Sequence, residues 1–488
     1  MSRHNRNDAT TRHRRHRAAA CLNRHSYDSN LVTATIMHEH CCAPAWQDVR
    51  NYLLAFQINR GPLIAMSTAA THDTANNALD IAWVRQQFPS LNLKVNGHQA
   101  AFLDGPAGTQ VPKQVMDAVT NYFLTANANT CGAFETSRRN DAMISATRAA
   151  MADFFNCDKD EVVFGQNMTT ITFALARAIA RDLKPGDEIV ITTLDHDANV
   201  SPWRALEEKG IVIRQAEIHE TDCTLDLDDL RKKITSKTKL VAVGYASNAV
   251  GTINPVAEIT KLAHAVGALM FIDAVHYAPH GPIDVRALDT DFLVCSPYKF
   301  FGPHMGTLYG KRELLQKFHP YKVRPAYNHA PDRWETGTQV QELIAGIGAA
   351  VDYIAEVGRR AEPSAKDRRS ALLAAYKVTR RHEMTLLAQL IEGLLAIPGL
   401  QFFGISDPKR FADRCSTISF RLGNHKPIDI AKHLGDRGIF TWDGNYYALN
   451  LTERLGVEEK GGLLRVGIVH YNTADEISRL LSALRELK

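Results

Sequence analysis

Two residues stand where short apolar runs end, and together they can do chemistry. Lys299 lies in SPYKFFGPHMG, directly after the run Phe292–Cys295, which reads as a short buried strand. A lysine delivered just past such a strand is partly desolvated, and desolvation lowers the pKa of its amine toward the nucleophilic form. That amine can form a Schiff base with an aldehyde. A lone lysine in a Gly/Pro-bounded turn also fits a solvated loop side chain, so a second signal has to weigh against that reading. The run LMFIDAVHYAP supplies it: another apolar strand, ending in Asp273. A carboxylate there can hold the proton on a pyridine nitrogen. An amine and a carboxylate so placed are what pyridoxal phosphate requires of its protein.

Other candidates carry weaker signals one at a time. In GQNMTT a turn precedes a helix, whose first N–H groups can hold a phosphate while Thr169 adds a hydroxyl; a Thr near a helix start is also an ordinary cap. His196 in LDHDANVSPW and Asn248 in SNAVGT sit in loops, where a solvated His or a turn Asn is the plain reading. Arg465 interrupts the apolar strand LLRVGIV, an unusual place for a surface arginine. A guanidinium fork suits a carboxylate, and lysine would not replace it well.

These residues need a frame. EVVFG, KPGDEIVITT, IVIRQAEI, KLVAVG and ALMFIDA are Val/Ile-rich runs alternating with helical stretches, and helices are read over 81–88 and 341–358. Such alternation predicts a mostly parallel sheet covered on both faces, with ligands at the carboxyl ends of the strands. Thr169, His196, Asn248, Asp273 and Lys299 all fall at such ends, which argues that they form one site. After RWETGTQ the pattern changes. Residues 359–381 are charged and read as opening a long helix through 394; LQFFGI, CSTISFRL, GIFTW and LLRVGIV then mix as strands with helices, an α+β pattern. The expected division is an extension over 1–65, a large domain with its N-terminal segment over 66–340, and a small domain over 341–488.

With these motifs in this order, residues 102–472 resemble the class V aminotransferase, cysteine-desulfurase-like group of fold-type I pyridoxal-phosphate enzymes. The resemblance implies a large domain with a mostly parallel seven-stranded sheet and a smaller α+β C-terminal domain. It makes Lys299 the Schiff-base lysine, Asp273 the partner of the ring nitrogen and His196 the ring stacked on the cofactor face. Met168, Thr169 and Ser296 become phosphate contacts, as does Tyr298, where the family commonly has His. Asn248 and His276 are placed near the phenolic oxygen. Thr338 in ETGTQ matches a threonine that reaches the phosphate from a neighbouring subunit, which implies a homodimer with shared sites. Ala107, in the turn 105–109, Arg465 and Tyr447 fall on the substrate side, Arg465 as the clamp on an α-carboxylate.

One departure bears on the reaction. Members that release sulfur carry a catalytic Cys in the small domain. The matching stretch here reads GIFTWDGNYYALNL, with Tyr447 near the Cys position, Trp442 near an expected arginine, and no Cys after Cys415. The resemblance therefore implies a lyase of desulfurase type that uses no enzyme persulfide. An epimerase, a decarboxylase or an aminotransferase on another amino acid stays open, as does an inactive fold kept as a binding partner.

Composition sets the outer bounds. The chain of 488 residues is 45% hydrophobic and 23% charged, ordinary for a globular protein, with a net charge of +4. Part of that charge is N-terminal, where Arg3, Arg6, Arg12, Arg14, Arg15, Arg17 and Arg24 face only Asp8 and Asp28 within the first thirty residues. The remainder is near balance and implies no nucleic-acid partner, and no apolar run is long enough to span a bilayer. The segment 1–65 is expected to be a disordered basic extension without a secretory signal. The 8 cysteines include no CxxC and suggest neither zinc nor a disulfide framework, so no metal and a cytoplasmic setting are expected.

Overall fold

The structure is a computed structural model that describes residues 78–487. The expected extension over 1–65 lies outside the described residues. The main sheet contains seven strands: β1 (Val162–Gly165), β2 (Glu188–Thr192), β3 (Val212–Ala216), β4 (Thr238–Gly244), β5 (Leu269–Asp273), β6 (Phe292–Cys295) and β7 (Gly306–Gly310). Their order across the sheet is β1-β7-β6-β5-β4-β2-β3. Neighbours are parallel except around β7, which runs antiparallel to both β6 and β1. The sheet is thus mostly parallel, as the alternation of runs and helices predicts.

Alternate residues of each strand go to opposite faces. Val241, Val243, Met270, Ile272 and Leu293 join one apolar core, which also holds Ile344, Ile347 and Val351. Leu240, Ala242, Phe271, Phe292 and Val294 join a second. Burial on both faces explains why these strands read as unbroken apolar runs.

A second sheet of four antiparallel strands follows: β8 (Leu400–Phe403), β9 (Thr417–Leu422), β10 (Trp442–Gly444) and β11 (Leu463–Gly467), in the order β8-β9-β11-β10. The stretch GIFTW, read as one strand, divides in two. Ile439–Phe440 pairs in parallel with Ala101–Phe102, and β10 begins at Trp442. The charged segment 359–381 also divides: one helix ends at Ala361 and the next runs Arg368–Leu395, capped by Asp367, which accepts from Ser370 N–H.

Three local devices bring the parts of the site together. The end of β11 meets the turn 105–109, where Gly467 N–H donates to Leu103 O at 2.8 Å and a Cβ on Gly467 would lie 2.0 Å from Pro106 Cδ. Thr109 ties that turn to the lysine segment, donating N–H to Tyr298 O and accepting from Phe301 N–H at 2.8 Å. At the other end, Gly306 lets β7 pass the start of the helix Met168–Ile179, because a Cβ there would sit 2.4 Å from Asn167 C.

Candidate active site

A cavity of about 970 Å³ opens at the carboxyl ends of β4, β5 and β6 and is closed on one side by the second sheet. Met168, Thr169, His196, Asn248, Asp273, His276, Ser296, Tyr298, Lys299, Ala107, Arg465 and Tyr447 all line it. Of the residues expected at the site, Thr338 alone is elsewhere: it is exposed and does not border its own chain's cavity.

Lys299 lies in the short turn after β6, with its N–H bonded to Ser296 O at 2.9 Å. Nζ donates to Ala107 O at 2.9 Å and to Pro106 O, and sits 4.7 Å from the centre of the Tyr298 ring. Burial, reinforced by the nearby Arg465 guanidinium, lowers its pKa to about 7, against the opposing pull of Asp273 and Asp104. Asp273 ends β5 and is 7% exposed; Oδ1 accepts from Val275 N–H at 2.9 Å. Burial raises its carboxyl to about 6, with the Val275 N–H and Lys299 working against the rise.

His196 begins a short helical turn, its Nδ1 accepting from Ala198 N–H at 3.0 Å. Burial and the positive charges of Lys299 and Arg465 hold its pKa down to about 3, so the ring is neutral. Tyr447 stacks on it at 5.5 Å between centroids and 26° between planes. Arg465, on β11, donates from Nη1 to Asn248 O at 2.9 Å and lies 4.2 Å over the Tyr446 ring. Burial lowers its pKa to about 10, so it remains cationic. Asn248 donates from Nδ2 to Tyr446 O at 2.9 Å, while its Oδ1 is buried without a partner.

Sequence reasoning missed Asp195. It lines the cavity at 4% exposure and accepts from Thr192 Oγ1 at 2.7 Å, from Asn199 Nδ2 at 3.3 Å and from Gly244 N–H. Burial first, and the charge of Asp273 after it, raise Asp195 to about 7. Its only signal was adjacency to His196. Asp104 was also passed over. Burial raises it to about 6, against Arg465 and Lys299, and its Oδ1 is buried without a partner.

The donor set suits pyridoxal phosphate. A part-neutral amine, a buried carboxylate at a strand end and a flat neutral imidazole border the same space as a helix N-terminus. Asn167 Oδ1 caps that helix by accepting from Thr170 N–H at 2.8 Å, and Gly306 keeps its approach open. The cavity's lining includes no cysteine. Cys415 is 0% exposed, and burial pushes its thiol up to about 12.

Comparison with known proteins identifies the family. Residues 101–480 match the family described as Aminotransferase class-V. A cysteine desulfurase of Pectobacterium atrosepticum is 32% identical over 421 residues, covering 83% of this chain and 97% of that protein. One of Synechococcus elongatus is 33% identical over 447 residues, covering 88% and 67%. Among solved structures, the apo cysteine desulfurase of Thermococcus onnurineus superposes with a TM-score of 0.75 at 27% identity, covering 84% of this chain and 98% of that one. The chain belongs to the class V aminotransferase family, in its cysteine-desulfurase-like branch, and is a pyridoxal-phosphate-dependent enzyme.

Proposed function

We propose that this enzyme is a lyase of desulfurase type that acts on an amino acid with a free α-carboxylate and uses no persulfide on a cysteine of its own. The observation that carries this reading is the cavity wall. Lys299, Asp273, His196 and Arg465 line it together, Tyr447 stacks on His196, and no cysteine is among the lining residues.

When bound, the cofactor supplies an electron sink for negative charge developing at the substrate Cα. Lys299 would hold its aldehyde, and its free amine would take and return the proton at the substrate Cα; an amine with a pKa of about 7 suits both directions. Asp273 keeps a proton on the ring nitrogen. His196 offers a flat neutral face. The first N–H groups of the helix Met168–Ile179, with Thr169, Ser296 and Tyr298, hold the phosphate. Asn248 and His276 orient the phenolic oxygen. Arg465 binds the substrate carboxylate, and its bond to Asn248 O and the Tyr446 ring beneath it fix the direction of the fork.

Two further parts belong to the same reading. The enzyme works as a homodimer in which Thr338 reaches the neighbouring subunit's phosphate. Its setting is the cytoplasm, which is supported by Cys131, Cys157, Cys223, Cys295 and Cys415 all being free thiols. No helix among the described residues is long and apolar enough to cross a membrane.

The deciding experiment incubates holoenzyme with L-cysteine and maps its cysteines by mass spectrometry. In parallel, an amino-acid panel is scored for sulfide, pyruvate, racemisation and CO₂. We expect β-elimination products and no persulfide. A persulfide on one cysteine, with turnover lost when that residue is changed to Ser, would overturn the mechanism. Racemisation or CO₂ release without elimination would overturn the reaction class.

A further inference from the structure

Next to the cofactor cavity lies a cluster of which the mechanism above uses His276 alone. One ring nitrogen of His276, one of His280 and the Sγ of Cys415 all lie within 4.8 Å of one another. The three residues are 4%, 1% and 0% exposed. His276 lines the cavity, yet its Nε2 is buried and has no hydrogen-bond partner. The two imidazoles do not satisfy each other: they meet at 5.3 Å between centroids with their planes 66° apart.

His280 is supported from behind. Its Nδ1 pairs with Glu383 Oε2 at 2.7 Å and lies 3.4 Å from Ser416 Oγ, so Nε2 is the nitrogen that would take a ligand. Glu383 is itself 0% exposed, and the same Oε2 accepts from Ser416 Oγ at 2.8 Å. A buried carboxylate on the far nitrogen of an imidazole fixes the tautomer and raises the basicity of the near one, which is how proteins commonly orient a metal-ligating histidine.

We propose that His276, His280 and Cys415 form a binding site for a divalent transition-metal ion, zinc by its donor set, with Glu383 orienting His280. Two imidazoles and a thiol are borderline-to-soft donors, which favours zinc over magnesium or calcium. Binding releases the Cys415 proton to solvent. The thiolate and the Glu383 carboxylate then balance the two positive charges, so the buried cluster carries no net charge. The ion also gives His276 Nε2 the partner it otherwise lacks, and so fixes the ring that the cofactor site uses. The spacing of cysteines along the chain hid this site, because its only thiol comes from the segment just before β9.

The test is metal analysis of untagged full-length holoenzyme purified without chelator. We expect about one zinc per chain retained through gel filtration. His280→Ala and Cys415→Ser should each lose it, and Glu383→Gln should weaken it by about 10–100-fold. Should a variant prove insoluble, the chelator-treated wild type titrated with cobalt(II) gives an independent reading. Saturable uptake with the visible absorption of a thiolate-bound tetrahedral ion is expected. Metal-free wild type that takes up no cobalt would overturn the proposal. So would zinc undiminished in both variants, because the ion would then sit elsewhere, for example on the histidines of 1–65.

Discussion

Lys299 gains its reactivity from desolvation, since a buried ammonium costs more than a buried amine and Arg465 adds repulsion. The sign of the pH effect follows. Below about 7 the amine is protonated and cannot attack an aldehyde; above it the amine is free. Covalent uptake of cofactor by the apoenzyme should therefore rise through neutral pH and level off in mild alkali. Stopped-flow uptake across that range is the measurement, and a midpoint near the ordinary lysine value of about 10.4 would contradict it. In Lys299→Ala we expect no covalent attachment and no turnover. Borohydride reduction of the wild type followed by peptide mapping should label Lys299; a label on another lysine would sink the assignment. Both Lys299 and Asp273 were legible in the sequence, because apolar runs announce where strands end. Asp195 was not. An Asp in a polar loop reads as solvated, and only the meeting of β2's end with Gly244 N–H shows that its carboxylate is enclosed.

At the scale of elements, the loop after β10 holds two adjacent left-handed residues. Tyr446 and Tyr447 have φ of 56° and 60°, and left-handed backbone costs a residue with a Cβ about 1–2 kcal/mol. Asn248 Nδ2 on Tyr446 O, Asp197 N–H on Tyr447 O and the Tyr447 N–H on Asn445 Oδ1 hold the pair there. Tyr447 is 73% exposed and loses little packing if truncated. Tyr447→Gly should thus keep or raise thermal stability, by up to about 1 kcal/mol, while KM for the amino acid rises as the wall over His196 goes. A marked fall in melting temperature would mean that the ring anchors the loop. This strain has no signal in the sequence, since neither residue is a usual left-handed one. Helix boundaries were partly legible. The amphipathic run from Gln341 was read to 358 and extends to Ala361, whereas the charged run after it hid the break before Arg368. The helix Arg368–Leu395 contributes to two cores. Ala371, Leu372 and Val378 join the core of the main sheet, and Leu386, Leu390 and Leu394 join that of the second.

For the whole molecule, the open question is what covers the helix Lys113–Thr125. Met116, Phe123 and Leu124 are 42%, 53% and 77% exposed, and their seven- and eight-residue spacing puts them on one face; Phe134 nearby is 55% exposed. Large apolar side chains grouped in this way mark interaction surfaces more often than solvated ones. Thr338 is exposed as well, although its match in the family contacts a phosphate. A second copy of the chain accounts for both observations at once. It would cover the apolar face and give Thr338 a cavity to enter. Light scattering after gel filtration should therefore give the mass of two chains. Phe123→Glu combined with Leu124→Glu should shift the enzyme toward monomer, and that monomer should release cofactor more readily. Thr338→Ala should weaken cofactor retention while leaving the dimer intact. That second arm separates a shared site from a merely sticky surface: dimeric Thr338→Ala with wild-type cofactor affinity would remove Thr338 from the phosphate site, and a monomeric wild type would remove the dimer itself.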